Sequence, residues 1–97
     1  MAYRLDIHPR VTDEVREILN YLDGERHGLG DQFLNELDAC YESILAHPSG
    51  YQIRKGSFRH APLGRMRYRV VYRVHNKTIY VVQVRHTSRR PSRRFGP

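Results

Sequence analysis

The spacing of apolar residues in the first half of the chain predicts a short strand followed by two helices. Apolar and polar residues alternate over residues 1–8, which is the period of a β-strand. Over residues 11–47 apolar residues recur every three or four positions, as in amphipathic helices, with Thr12 as the predicted N-cap and Pro48 as the stop. Glycines around Gly28 interrupt this pattern. We therefore expect the two helices to form an antiparallel hairpin.

The second half of the chain shows the pattern of an antiparallel sheet. Residues 51–86 are expected to form basic strands, with a tight turn at residues 75–77 between the last two. In the central strand, apolar residues are predicted to face the core and arginines to face solvent; the two sets are Met66, Tyr68, Val70, Tyr72 and Val74, and Arg65, Arg67, Arg69 and Arg73. Residues 87–97 are expected to form an irregular, partly mobile basic tail.

These elements predict the α+β fold class. The expected architecture is an N-terminal strand and an antiparallel two-helix hairpin packed on a small antiparallel β-sheet. All 97 residues are expected to form a single domain, because a chain of this length builds one hydrophobic core.

Charge is divided unevenly between the two halves. Residues 1–42 carry ten acidic and four basic side chains, a net charge of −6. Residues 43–97 carry thirteen basic and no acidic side chains, a net charge of +13. The acids fall mainly on the predicted helices and the cations on the predicted sheet. A basic surface of this kind indicates an anionic partner, either a nucleic acid or an acidic protein.

The alternating arginines form a predicted basic face that is our candidate binding site. Arginines at every second position of a strand lie about 6.5–7 Å apart, close to the phosphate spacing of a nucleic-acid strand. The residues expected to bind this anionic partner are Arg59, Arg65, Arg67, Arg69, Arg73, Arg85, Arg89 and Arg90. The alternative for the arginines is that they pair with the acids of the helices. Tyr68 and Tyr72 share the apolar period of this strand, so we expect them to pack in the core rather than to stack on bases.

The other titratable residues give weaker signals. His60 and His86 are candidates for acid–base catalysis on RNA, because an imidazole titrates near neutral pH, with a surface or half-buried histidine as the alternative for each. The histidines lack metal-ligand spacing, and no glycine-rich phosphate loop is present, so we expect neither a metal nor a cofactor. Cys40 lies on the apolar side of the second helix and is expected to be a buried thiol.

Cysteine count and hydropathy favour a cytoplasmic protein. One cysteine excludes an internal disulfide and is consistent with a reducing compartment. No apolar run approaches the ~20 residues of a membrane span, and no signal segment opens the chain. We therefore expect a soluble cytoplasmic domain with no membrane partner.

Four segments of the chain resemble the ParE/RelE superfamily of toxins from bacterial type II toxin–antitoxin modules. They are residues 3–11, 28–37, 66–74 and 84–91, and together they run through nearly the whole length. In that order they are similar to the family's first strand and helix start, its second helix, its central strand, and its closing strand and exit. Their order and spacing make the resemblance specific, although each segment alone is short.

The resemblance implies a growth-inhibiting toxin that is neutralised by a cognate antitoxin, acidic and encoded by the adjacent gene. ParE-like members poison DNA gyrase and are associated with plasmid stabilisation. RelE-like members cut messenger RNA on the ribosome, often with a C-terminal tyrosine. The ending Val84-x-His86-x-x-Arg89-x-Pro91 is similar to ParE-like members, and no tyrosine follows Tyr80. We therefore expect a gyrase-directed toxin that is not an enzyme.

Two alternatives to gyrase inhibition follow from the same residues. The first is a RelE-like, ribosome-dependent endoribonuclease with a catalytic set formed by Arg67, Arg69, Arg85 and Arg89. The second is a basic nucleic-acid-binding module without toxicity, for which strong and salt-dependent binding to naked RNA or DNA is expected.

Overall fold

The computed structural model describes residues 2–88 and residue 95. Within these residues the chain forms helices α1 (Pro9–Glu25) and α2 (Leu29–Ala46) and strands β1 (Arg4–Ile7), β2 (Ile53–Lys55), β3 (Phe58–Pro62), β4 (Tyr68–His75) and β5 (Thr78–His86). The predicted α+β class, with a strand first, a helical hairpin next and the basic strands last, is confirmed. Neither helix is long and apolar enough to cross a membrane.

The start of α1 corrects the predicted N-cap. His8, not Thr12, caps the helix, and its Nδ1 accepts a hydrogen bond of 3.0 Å from the backbone N–H of Arg10. Pro9 then lies in the first turn, where its fixed φ suits a helix and its missing N–H removes no intrahelical bond. The sequence favours Thr12 because Ser, Thr, Asp and Asn are the usual capping residues, and a capping histidine ring has no comparable signature.

Gly28 forms the turn between the two helices. Its φ of +91° lies in the left-handed region, which residues with a Cβ rarely adopt. Two residues later the backbone N–H of Gly30 donates to an Asp23 carboxylate oxygen at 3.1 Å, which ties the start of α2 to the end of α1. The hairpin therefore depends on one backbone conformation and one side-chain hydrogen bond.

A pair of glycine substitutions tests this turn. Gly28→Ala is expected to lower the free energy of unfolding by about 1–2 kcal/mol, because a Cβ is strained at positive φ. Gly24 lies within α1 with open space where a Cβ would stand, so Gly24→Ala is the matched control and is expected to stabilise by up to about 1 kcal/mol. Urea denaturation of both variants measures the change in the free energy of unfolding, which is expected to be a decrease for Gly28→Ala and an increase for Gly24→Ala. A shift of the same sign in both would contradict the role assigned to Gly28.

The strands form a single mixed sheet in the order β1-β5-β4-β3-β2. Strands β2 to β5 pair antiparallel, as predicted, whereas β1 lies parallel to β5, with Arg4 beside Thr78 and Ile7 beside Val81. Apolar alternation does not indicate strand direction, so the sequence could not show whether β1 pairs parallel or antiparallel with its neighbour. The helical hairpin that follows β1 provides the long crossover that a parallel pair requires.

A bulge in β5 determines which of its side chains reach the helices. Gln83 lies opposite Val71 and Val81 lies opposite Tyr72, so Val82 is an extra residue without a partner on β4. Because of this residue, Val81 and Val84 both join the core although they are an odd number of positions apart.

The outer edge of β5 has two kinds of neighbour. β1 covers β5 as far as Val81, whose carbonyl accepts a hydrogen bond of 3.0 Å from the N–H of His8. Beyond Val81 the edge of β5 contacts α1 instead of β1. There the Glu14 carboxylate accepts a hydrogen bond of 3.0 Å from the N–H of Val84. Both contacts join the beginning of the chain to the last described strand.

The hydrophobic core lies between the helices and one face of the sheet. Phe33 and Ile44 of α2 and Val70 of β4 are fully buried in it. Cys40 is also buried, as predicted, and its Sγ lies 3.9 Å from the carbonyl oxygen of Ala61. Burial raises the pKa of the Cys40 thiol to about 11, so the thiol stays protonated and unreactive at neutral pH.

Two tyrosines of β4 belong to this core, which confirms the core-packing prediction. Tyr68 packs edge-on against Phe33, with 5.2 Å between ring centroids. Tyr72 is fully buried, and its hydroxyl donates a 2.6 Å hydrogen bond to the carbonyl of Pro48. Burial raises the pKa of Tyr72 to about 12. Neither ring is therefore accessible for stacking on a base.

Candidate functional site

The pairing register divides the side chains of the sheet between two faces. Residues directly opposite each other point to the same side, and successive residues in a strand point to opposite sides. Val70 points to the helices, so its neighbours in β4 point away from them. We call the side away from the helices the open face. It carries three rows of opposed residues: His60, Val71 and Gln83; Pro62, Arg69 and Arg85; and Asp6, Tyr80 and Arg73.

His60 lies in the middle of the open face with both ring nitrogens hydrogen-bonded. Nδ1 lies 3.2 Å from a guanidinium nitrogen of Arg69, and Nε2 lies 2.8 Å from the carbonyl oxygen of Phe95. A guanidinium only donates and a carbonyl only accepts, so Nδ1 accepts and Nε2 carries the proton. The imidazole is therefore neutral. Burial lowers its pKa, and the charges of Arg69, Arg54 and Arg85 lower it further, against the opposing effect of the Phe95 hydrogen bond.

Phe95 covers this part of the open face. Its ring packs edge-on against Phe58, with 4.8 Å between centroids, and the Arg10 guanidinium lies 6.0 Å from its centroid, within cation–π distance. His60 is 5% exposed and Arg85 is 2% exposed. In this conformation the imidazole and the Arg85 guanidinium are enclosed, so neither presents itself to a phosphate in solution.

Three of the predicted site arginines point to the open face, namely Arg69, Arg73 and Arg85; Arg69 and Arg85 oppose each other, whereas Arg73 lies four positions further along β4. Arg69 bridges two elements, since it contacts His60 and also donates to the Thr87 carbonyl at 3.3 Å. Burial lowers the pKa of Arg69, as do the neighbouring charges of Arg54 and Arg85. The cluster is therefore a set of like charges held close together, which favours an anionic partner wherever it is accessible.

Arg59 lies on the other face, which corrects its place in the predicted basic face. It opposes Tyr72 and so points to the helix side, where its guanidinium donates to the carbonyl of Tyr51 at 2.6 Å and to that of Ser49 at 3.3 Å. Within the described residues, neither Arg59 nor Arg73 forms an ion pair with a helix acid. The alternative in which helix acids neutralise the basic strands does not apply to these two arginines.

Arg65 and Arg67 are also separated from the open face. The central strand begins at Tyr68, so these two exposed residues lie in the turn before it and do not extend the row of arginines. The predicted stripe from residue 65 to residue 73 is therefore wrong in its first half. Arg89 and Arg90, together with most of the predicted mobile tail, lie outside the described residues.

The two candidate histidines do not meet. His86 opposes Tyr68 on the helix side of the sheet, and the two rings pack edge-on with 5.1 Å between centroids. Its Nδ1 accepts hydrogen bonds from the hydroxyl and the N–H of Ser88, at 2.6 and 3.1 Å. Since His60 and His86 lie on opposite faces, they cannot act as acid and base on the same phosphate.

Phe58 and Phe95 complete the site and were missed by sequence reasoning. Phe95 lies in a segment rich in arginine, proline and glycine, where no apolar period marks a residue as buried. The only available signal was an isolated aromatic residue among polar ones. Among residues 2–88 and 95, no three His, Cys, Asp or Glu side chains converge to hold a metal ion.

The fold, a helical hairpin on one face of a five-stranded sheet, is shared with solved bacterial and archaeal toxins. A double arginine-to-alanine mutant of the E. coli toxin RelE in the free state is 22% identical, with 91% of this chain and 86% of that chain covered and a TM-score of 0.67. The archaeal RelE–RelB complex from Pyrococcus horikoshii contains a chain that is 24% identical, with coverages of 92% and 99% and a TM-score of 0.55. A copper-bound mutant toxin from Helicobacter pylori is 17% identical, with coverages of 91% and 97% and a TM-score of 0.56. At these identities the likeness shows a common fold.

The family is shown by the sequence match. The sequence model of the family described as the ParE toxin of the type II toxin–antitoxin system parDE matches residues 5–91 of this chain. The chain belongs to the ParE toxin family, and it is the toxin of a type II module that acts with an antitoxin partner. A comparison with curated proteins finds no match. The predicted membership of the ParE/RelE superfamily is thereby confirmed.

Proposed function

We propose that this toxin acts in the cytoplasm by inhibiting DNA gyrase and does not cut nucleic acid itself. The observation that carries the proposal is the enclosure of the open-face cluster. An endoribonuclease of this fold would have to bring a scissile phosphate to its cations, yet Arg85 and His60 are almost completely buried, and Phe95 contacts His60 directly. A gyrase inhibitor has no such requirement, because it needs a complementary surface and not a reactive centre. The ParE family match favours the same target.

The contact surface that we propose is the accessible rim of the open face. Arg54 and Lys55 of β2 are exposed, and Lys55 opposes Phe58, which places it at this rim. The second half of the chain contains no Asp or Glu. An acidic antitoxin segment, encoded by the adjacent gene, would complement the rim and compete there with the target. Plasmid stabilisation would follow where such a pair is plasmid-borne.

The direct test uses purified toxin, gyrase and plasmid DNA. We expect loss of supercoiling and accumulation of gyrase-cleaved plasmid. Replacing Arg54 and Lys55 together by glutamine is expected to raise the half-inhibitory concentration about tenfold, because rim charges steer association. Arg16→Gln is the matched control, since Arg16 is an exposed arginine of α1 paired with Asp13. Full supercoiling activity at micromolar toxin would overturn the proposal.

Messenger-RNA cleavage is the second candidate, and one observation favours it. His60 is held neutral and hydrogen-bonded to Arg69 within a cluster of arginines, and such an arrangement can accept a proton and stabilise phosphate charge once uncovered. Inducible expression separates the two candidates. Cleavage of translated messages while purified gyrase stays active would favour the nuclease, whereas intact messages during growth arrest would exclude it.

A further inference from the structure

A cleft of about 350 Å³ opens beside Phe95 on the open face and is not used by the proposed function. Asp6, Tyr80 and Arg73, which oppose one another across β1, β5 and β4, contribute to its lining. Phe58, Phe95 and Arg10 lie around the same cleft. Its volume is within the range of small-molecule sites, and aromatic rings, cations and one carboxylate converge on it.

Arg10 and Arg73, the two arginines of the cleft, are each held by an aromatic ring and not by an acidic side chain. The Arg73 guanidinium lies 4.6 Å from the centroid of Tyr80, and that of Arg10 lies 6.0 Å from the centroid of Phe95. A guanidinium held over a ring still presents the N–H groups of its edge to a ligand. Within the described residues, neither arginine forms an ion pair, and Asp6 forms none either. The fold therefore places opposite charges in one cleft without joining them to each other.

We propose that this cleft binds a guanine nucleotide. The arginines would bind the phosphate through charge-assisted hydrogen bonds, and the aromatic rings would contact the base. The Asp6 carboxylate would accept the N1–H and N2–H groups of guanine, the only common base that presents two such adjacent donors to a carboxylate. This inference is independent of the gyrase proposal, since it concerns a ligand of the toxin and not its target.

The Asp6 carboxylate favours a guanine nucleotide over an acidic peptide as the ligand. A peptide carboxylate would satisfy Arg10 and Arg73 equally well, but it would leave Asp6 facing a ligand of like charge. A guanine nucleotide supplies both an anion for the arginines and donors for Asp6. Because all three charged groups line one cleft, the nucleotide is the better match.

Isothermal titration of the purified protein with GMP, AMP and inorganic phosphate tests the inference. GMP is expected to bind about tenfold more tightly than AMP, and inorganic phosphate more weakly than either. Arg73→Gln is expected to weaken GMP binding about tenfold, whereas Asp6→Asn should remove the preference for GMP over AMP. Arg65→Gln is the matched control because it removes an exposed arginine away from the cleft, and it should leave all three affinities unchanged.

Chemical-shift mapping of the wild-type protein keeps the test independent of whether the variants fold. GMP is expected to shift the amide signals of Asp6, Arg73 and Tyr80. The inference is overturned by any of three results: no heat with millimolar GMP, equal affinity for GMP, AMP and phosphate, or shifts confined to residues outside the cleft.

Discussion

Phe95→Ala is expected to lower the free energy of unfolding by about 3 kcal/mol and to expose His60 to water. The ring is 3% exposed and packs against Phe58, so its removal loses most of the apolar contact that covers the open face. We expect the low end of the range for a buried phenylalanine, because the ring borders an open cleft and its removal widens that cleft without leaving an enclosed cavity. Phe95→Leu keeps a large apolar side chain at this position, so it should recover most of the loss; the backbone carbonyl that His60 contacts is present in both variants.

The pH dependence of the Phe95→Ala variant gives a second readout. Burial lowers the pKa of His60 below its ordinary value of 6.5 in the folded protein. Its contribution to stability is therefore full above 6.5 and is lost as the pH falls from 6.5 through the lowered value. Uncovering the ring should raise the pKa towards 6.5 and reduce this loss on acidification. Urea denaturation at neutral and mildly acidic pH, together with an NMR titration of His60, measures both effects. An unchanged urea midpoint with an unchanged His60 titration would show that Phe95 does not cover the ring.

Tyr72→Ala is expected to lower the free energy of unfolding by about 4 kcal/mol, a large part of the roughly 5–15 kcal/mol of a typical domain. The side chain is fully buried between the sheet and the helices, and its ring packs edge-on against Tyr51 with 6.4 Å between centroids. Tyr72→Phe separates the hydroxyl from the ring. It should cost about 1–2 kcal/mol, because the buried carbonyl of Pro48 loses its donor.

Alkaline pH provides an independent check on the buried hydroxyl. The pKa of Tyr72 rises from 10.0 to about 12 on folding, so its contribution to stability is full below pH 10.0 and is lost as the pH rises towards 12. Tyr72→Phe lacks this contribution. Tyr80→Phe is the control, since no hydrogen bond of the Tyr80 hydroxyl is found within the described residues, and its stability should change by less than about 0.5 kcal/mol. A Tyr72→Phe variant as stable as the wild type in urea would contradict the role given to the Pro48 contact.

The elements of this fold could be predicted because their signals are local. The apolar period of α2 and the alternation of β4 lie within single segments, and proline marks the end of the helix region. The parallel pairing of β1 with β5 and the bulge at Val82 could not be predicted. Both depend on which strands become neighbours and in what register, and these properties belong to the whole sheet.

The positions of the site residues could be predicted to a smaller extent than the helices and strands. Alternation within β4 correctly placed Arg69 and Arg73 away from the core. It could not place Arg59, because the face that a residue of β3 occupies is determined by its register with Tyr72. Nor could it reveal that Phe95 lies over His60, a contact between residues 35 positions apart that no periodicity encodes. The enclosure of the basic cluster is thus a property of tertiary packing alone.

The parallel pairing of β1 with β5 also has a consequence for how the toxin is made. Ile7 lies beside Val81, and the Glu14 carboxylate accepts a hydrogen bond from the N–H of Val84, 70 positions later, so β1 and α1 need partners that are synthesised well after them. Translation adds about 5–20 residues per second, and a sheet built on such distant contacts cannot close on a partial chain. The sheet therefore closes only after β5 has been synthesised, so the open face does not exist on a shorter nascent chain.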